Sequence, residues 1–377
     1  MDFSLSQPQA ALQDSVRRYC RESYDLQGRQ QNLRSAVGFS ARHWAAFADL
    51  GWLGATLPED AGGFGGSVVE AAIIFEEFGR ALVLEPYLPS AILAAHALYH
   101  AAGARESRAL LQPMIEGRRL LSLAHSERHH SAGAGMVATT ARKTPAGQFV
   151  LNGKKTFALG GNRAHQFVVA ARTSGQPQDP HGVSLFLVDH STSGLSRRCY
   201  RALDGGGVAD LLLDEVEVAP ECLIGREGNA FEALERAITF ATVSVCAEAV
   251  GCMDQVIATT VDYLKTRRAY GTTLSTYQAL QHQLADMLVE LEMSRSMLYH
   301  VFAAFARDEG PERQRAASSA KALIGRSGRL VAARGIQLHG ALGMVDDYII
   351  GQQFKRLTVI EALFGNSDFH LNRRFRQ

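Results

Sequence analysis

Arg267-Arg268-Ala269-Tyr270-Gly271 and, shortly after, Thr276-Tyr277-Gln278-Ala279-Leu280-Gln281-His282 gather guanidinium, phenol and primary amide groups into one short stretch. A guanidinium forks onto phosphate oxygens, and amides hydrogen-bond ribose or base edges, so this set has the chemistry of a diphosphate grip. The plainer alternative is a basic last helical turn that complements the macrodipole, followed by an ordinary cap. The residues alone leave both open. Gly335-Ile336-Gln337-Leu338-His339-Gly340-Ala341-Leu342-Gly343-Met344 adds a helix end whose glycines let a ligand approach the backbone.

Other constellations carry less. The loop Gly62-Gly63-Phe64-Gly65-Gly66 lacks the following Lys-Ser/Thr of a Walker loop and comes after a helix rather than a strand, so it reads as a structural turn. His129-His130 and the remaining histidines do not fall at metal spacing with a carboxylate or thiolate, and no metal is expected. A Gly-x-Ser-x-Gly nucleophile elbow is missing. The five cysteines include no C-x-x-C pair and are expected to be buried thiols.

The elements that must position these residues fall into three textures. Residues 1–120 read as helices, with Leu12, Val16 and Tyr19, then Trp44, Phe47 and Leu50, at helical spacings, and with alanine- and leucine-rich runs over 71–84 and 91–102. Residues 121–226 turn to short β-rich runs, 121–124, 149–151, 166–171, 184–188 and 211–218, separated by turn clusters such as Asn152-Gly153, which predicts a small β-barrel or sandwich. Residues 227–377 return to long helical blocks: 230–267, 277–308, 311–338 and a last segment over 346–373. In the second block Leu280, Leu284, Met287, Leu291, Met297, Val301 and Phe305 step along one side. The fold class expected is mainly α with a central β domain, ending in a helical bundle.

Lys plus Arg is 39 against 38 for Asp plus Glu, so the chain has no positive field suited to nucleic acid or an anionic membrane. Its first residues lack the basic start and apolar run of a signal peptide, and no continuous apolar stretch of membrane-spanning length stands out, so a cytoplasmic home is expected.

Taken together, these residues resemble the acyl-CoA dehydrogenase family along essentially the whole chain. Pro58-Glu59 to Gly66 is similar to the family's P-E-x-x-G-G-x-G, and Leu151-Asn152-Gly153-Lys154-Lys155-Thr156-Phe157 to its L-N-G-x-K-x-W/F strand. Leu213 to Val218 with Leu223 to Gly228 resembles its junction into the bundle. Arg267 to Gly271 resembles R-x-x-F-G, Tyr277-Gln278 resembles F-Q, and Gln337 to Gly343 resembles Q-x-x-G-G-x-G with Ala341 for the second glycine. At finer grain, residues 77–88, 246–251, 262–267 and 354–358 are similar to the small subunit of the pimeloyl-CoA dehydrogenase type.

The resemblance implies an N-terminal helical domain, a middle β-barrel and a C-terminal four-helix bundle. It also implies FAD chemistry: a carboxylate removes the α-proton of an acyl-CoA thioester while the β-hydrogen leaves as hydride to the flavin. In the family FAD lies between subunits, and the R-x-x-F-G, F-Q and Q-x-x-G-G residues grip the neighbour's diphosphate and adenine end. The cofactor-binding residues implied here are Arg267, Tyr270, Gln278, Gln337, Gly340 and Ala341.

Set against that pattern, the catalytic glutamate is missing. Phe364 stands immediately before Gly365 where the family places it, and the alternative position corresponds to Ala241, with Thr242 where arginine is usual. The family's T-E-P-x-x-G-S-D appears as Ser126 to Gly133, and its W-I-T as Phe157-Ala158-Leu159, which puts an isobutyl group where a hydroxyl is expected near the flavin. A heteromeric enzyme is therefore expected, a heterotetramer in which a larger related subunit supplies base and acyl pocket, with an acyl-CoA substrate and an electron-transfer acceptor as further partners. Two alternatives stand: a self-sufficient homotetramer with its base relocated to Glu361, Glu248 or Asp368, and a scaffold without flavin.

Overall fold

A computed structural model describes residues 4–127, 136–307 and 310–376. In chain order the helices and strands are α1 (Gln7–Ser23), α2 (Leu26–Arg34), α3 (Ala41–Asp49), α4 (Val68–Ala81), α5 (Ala95–Ala102), α6 (Ala104–Ile115), β1 (Leu121–Ala124), β2 (Thr140–Lys143), β3 (Phe149–Leu159), β4 (Gln166–Arg172), β5 (Val183–Asp189), β6 (Leu195–Arg201), β7 (Gly207–Val218) and β8 (Leu223–Ile224). Then come α7 (Phe231–Thr266), β9 (Arg268–Ala269), β10 (Thr272–Thr273), α8 (Gln278–Arg307), α9 (Pro311–His339), α10 (Ile349–Ala362) and α11 (Ser367–Arg376). By contacts the chain divides into two compact units: Met1–Arg34, Val68–Val83 and Thr242–Gln377 form one, and Ser35–Ser67 with Leu84–Ala241 the other.

The second unit is built on an eight-stranded sheet in the order β6-β7-β3-β2-β4-β5-β8, with β1 parallel to β4. This is the β domain expected between the two helical regions. Phe149, Phe167 and Phe186 fill its core together with valines and leucines from alternate positions. Two strands, β2 and β6, carry no sequence signal of their own. Thr140-Ala141-Arg142-Lys143 and Leu195-Ser196-Arg197-Arg198-Cys199-Tyr200-Arg201 are mostly exposed, and β6 lies at a sheet edge where charged side chains oppose further pairing. The Gly62–Gly66 loop is the structural turn expected. The N–H groups of Gly63, Gly65 and Gly66 are spent on the carbonyls of Pro58, Leu57 and Ala55, leaving no cradle for phosphate.

In the first unit α1 starts at a capping box, the Ser6 hydroxyl taking the Gln9 N–H and the Gln9 amide returning to the Ser6 N–H. Helices α4 and α7 approach so closely that a Cβ at Gly79 would overlap the Glu248 carbonyl, and one at Gly251 the Glu76 carbonyl. Of the expected apolar row on α8, Met287, Leu291 and Val301 are buried and Leu280, Leu284, Met297 and Phe305 are half-buried, whereas Leu288, Val289 and Met293, outside that row, face outward.

Helix α7 passes a length-and-hydropathy test for a membrane span, which corrects the reading that no such stretch exists. Its apolar window is 89% buried within the fold, which accounts for that composition without a bilayer. A further correction concerns the last segment, which is two helices. Phe364 at φ 58° and Gly365 at φ 105° break it, because neither backbone can continue a right-handed helix.

Buried histidines give the fold an acid limit. His96 bonds the Thr56 hydroxyl at 3.0 Å and stacks on Phe240, and burial first, then His100, brings its pKa down to about 3. His370 on α11 is also brought to about 3, by burial and then by Lys321. Both folded values lie below the unfolded one, so between about pH 3 and 6.5 the unfolded chain binds more protons and stability falls as pH falls. At pH 5.5 each contributes a loss of about 1.4 kcal/mol relative to pH 8. Thermal melts across that range should show a falling midpoint, with a visibly shallower slope in His96→Gln. An unchanged slope in that variant would mean that His96 is not the group titrating.

Candidate functional site

The C-terminal end of α7 determines how the first cluster is presented. The sequence places Arg267 to Gly271 in a helix-to-helix turn; the structure makes it a two-residue hairpin, with β9 and β10 paired and Tyr270-Gly271 at the tip. Both tip residues have positive φ, 52° and 85°, the backbone of a type I′ turn, for which tyrosine is a poor intrinsic choice. The Tyr270 side chain is accordingly thrown outward and is 97% exposed. Arg267 follows the helix end, its N–H on the Tyr263 carbonyl and its own carbonyl taking the Leu274 N–H. Gln278 opens α8 at an exposed position.

The second cluster closes α9. Gln337, Gly340 and Ala341 are all exposed, and Gly340 has φ 58° with nothing near the place a Cβ would occupy. The other two glycines behave differently from the expectation of an open backbone. Gly335 is buried with its face against Val256, and Gly343 packs on Ile336. Among the described residues, the side chains of Arg267, Tyr270, Gln278 and Gln337 make no hydrogen bond or ion pair. Free guanidinium and amide donors beside an open glycine are a donor set that fits phosphate and a nucleoside edge.

Position 364 is framed by buried polar groups that sequence reasoning missed. Lys321, with no exposed surface, donates to the carbonyls of Glu361 and Gly365, each at 2.8 Å. His370 Nε2 donates to the Phe364 carbonyl at 3.1 Å, and Nδ1 then accepts from the Ser318 hydroxyl at 3.2 Å. The Glu361 carboxylate takes the N–H and hydroxyl of Ser367, capping α11. A lone lysine among Ala317, Ala320 and Ile324 on the buried side of α9 was the available signal. The Phe364 ring is 6% exposed, so the position holds a buried apolar group.

Two of the three relocated-base candidates are committed elsewhere. Glu248 forks onto Arg356, Oε1 to Nε and Oε2 to Nη2, both at 2.6 Å. Glu361 is the cap just described. Asp368 is exposed in the first turn of α11.

Ala241, the last residue of the second unit, is fully buried, and Thr242, which belongs to the first unit, is nearly so. Of the Ser126 to Gly133 stretch, Arg128 to Gly133 lie outside the described residues, as do His129 and His130. Glu127 accepts from the N–H groups of Ala138 and Thr139, the Thr139 hydroxyl and the buried Lys155 ammonium at 2.7 Å. Burial pulls Lys155 down to about 8 despite that partner. Phe157 stands at φ 55° in a β-bulge of β3, and its N–H is taken by Asp210 Oδ1 at 3.0 Å, which also receives the Tyr200 hydroxyl at 2.7 Å. The Leu159 carbonyl accepts from Ser122.

Comparison with known proteins agrees with this architecture. Family models described as the N-terminal, middle and C-terminal domains of acyl-CoA dehydrogenase match residues 6–118, 122–216 and 229–377. The chain belongs to the acyl-CoA dehydrogenase family, whose enzymes are FAD-dependent oxidoreductases. Acryloyl-CoA reductase (NADH) of Anaerotignum propionicum is 27% identical over 98% of this chain and 94% of its own length. Among solved structures, butyryl-CoA dehydrogenase of Megasphaera elsdenii superposes with a TM-score of 0.89 at 22% identity, covering 100% of this chain and 99% of that one. The Tcur3481–Tcur3483 steroid ACAD gives a TM-score of 0.87 at 28% identity, covering 99% and 98%.

Proposed function

We propose that this chain is the non-basic subunit of a heteromeric acyl-CoA dehydrogenase, akin to the small subunit of the pimeloyl-CoA dehydrogenase type. It clasps the dinucleotide end of an FAD whose reactive end, acyl pocket and base lie in a related, larger chain. One observation carries the reading: both base positions hold buried apolar side chains, Phe364 and Ala241, while the clasp side chains of Arg267, Tyr270, Gln278 and Gln337 are exposed and make no hydrogen bond or ion pair among the described residues. The similarity to the Tcur3481–Tcur3483 steroid ACAD, named for two components, supports a paired assembly.

In such an assembly FAD supplies the acceptor for the β-hydrogen. This chain's part is to bind and orient. Arg267 would fork onto the diphosphate, Gln278 and Gln337 would hydrogen-bond the nucleoside, and Gly340 and Ala341 would let the ligand lie against backbone. No proton is moved by Phe364 or Ala241, since neither has a group to hold it.

Expressing the chain alone and then with a related chain that carries glutamate at one of the two base positions tests this. Flavin absorbance and thioester desaturation are expected only from the pair, with fewer flavins than subunits. One flavin per protomer and full turnover from the isolated chain would falsify it, and a colourless pair would leave the scaffold reading in its place.

A further inference from the structure

Between the two clasp clusters lies a buried aromatic stack that neither motif accounts for. His339, the last residue of α9, is 2% exposed. Its ring lies parallel to Tyr263 of α7, centroids 4.4 Å apart at 28°, and edges toward Tyr348, 5.3 Å away at 57°. Nδ1 donates to the Gly335 carbonyl one turn back at 2.9 Å. Each stacking partner borders the clasp. Tyr263 is one turn before Arg267 on the same helix, and its carbonyl holds the Arg267 N–H. Tyr348 precedes α10, at the exit of the turn Gly340–Met344.

We propose that His339 is the positioning residue of the dinucleotide clasp, a stacked ring that ties the Gly340–Met344 turn to the end of α7 and so sets Gln337 and Gly340 in register with Arg267. The turn has little else to hold it in place. Gly340, Ala341, Leu342, Met344 and Val345 are exposed and only Gly343 is buried, so its position is dictated from its two ends. At the far end Asp346 is anchored by Lys355 Nζ at 2.6 Å and by the Gln352 amide on its carbonyl at 2.7 Å. At the near end the anchor is the ring. His339 acts through stacking and not through charge: burial lowers the imidazole pKa against the upward pull of the Gly335 and Thr259 carbonyls. A phenyl ring should therefore serve in its place, whereas a methyl group should not.

This inference rests on the clasp reading, and the experiment separates the two. In the isolated chain, amide hydrogen exchange of residues 340–345 should speed up about tenfold in His339→Ala, the loss of two aromatic contacts, and stay near wild type in His339→Phe. The body of α9 should remain protected in both. In the complex with the catalytic partner, FAD affinity should fall about tenfold in His339→Ala and recover in His339→Phe. Uniformly faster exchange along α9, or a phenylalanine variant as impaired as the alanine one, overturns the stacking role. If Arg267→Ala weakens FAD while His339→Ala does not, only this inference falls. If Arg267→Ala is itself without effect, the clasp reading falls, and the exchange result still decides whether the ring anchors the turn.

Discussion

Arg267→Ala is expected to weaken FAD binding to the assembled enzyme by roughly two to four orders of magnitude, with the melting temperature of the isolated chain unmoved. A guanidinium on a diphosphate forms two charge-assisted hydrogen bonds, each contributing about 1.5–3 kcal/mol, and the fork geometry lets both form at once. Because Arg267 is exposed and makes no side-chain bond within the described residues, its removal leaves nothing unpaired behind, and surface changes of that kind alter stability by about 0.5 kcal/mol or less. Arg267→Lys should recover only part of the loss, since an ammonium keeps the charge and forfeits the fork. Fluorescence titration of the deflavinated complex with FAD measures all three. Equal affinity for wild type and alanine variant would place the diphosphate away from this helix end.

Glu248→Ala should have the opposite signature, with a large loss of stability. The carboxylate is 5% exposed and forks onto Arg356, whose side chain is 18% exposed, so deleting one partner strands a guanidinium in a poorly hydrated site. Breaking a buried pair in this way costs about 3–5 kcal/mol, which in a unit of this size lowers the melting temperature by on the order of 10 °C. Replacing both members together, Glu248→Leu with Arg356→Met, should restore most of that, because no uncompensated charge remains. The result also bears on chemistry. If Glu248 were a relocated base, Glu248→Gln would abolish turnover in a homogeneous, active preparation while leaving the melt nearly intact. The fork with Arg356 predicts that the melt moves.

A base is defined by residue type, and residue type is legible at once: phenylalanine at 364 and alanine at 241 accept no proton in any fold. The motifs proposed as a clasp were likewise readable, because their chemistry belongs to side chains that stay at the surface and make no side-chain bond among the described residues. Periodicity located the long helices and the apolar strands for a similar reason, since burial of one face leaves its mark on neighbouring positions. It failed at β2 and β6, whose exposed residues carry no such mark, and at 364–365, where a left-handed residue splits what the pattern reads as one helix.

Tertiary structure alone decided which acids are spoken for. Glu248 meets Arg356 across 108 positions, and Lys321 reaches the Glu361 carbonyl across 40, separations at which no local pattern specifies a partner. The same holds for the ring of His339 between two tyrosines from other elements. Sequence therefore determined which side-chain chemistry stands at each position. Only the packing of distant segments showed that Glu248 and Glu361 are held in structural bonds, because pairing energy depends on who is near in space and not on who is near in the chain.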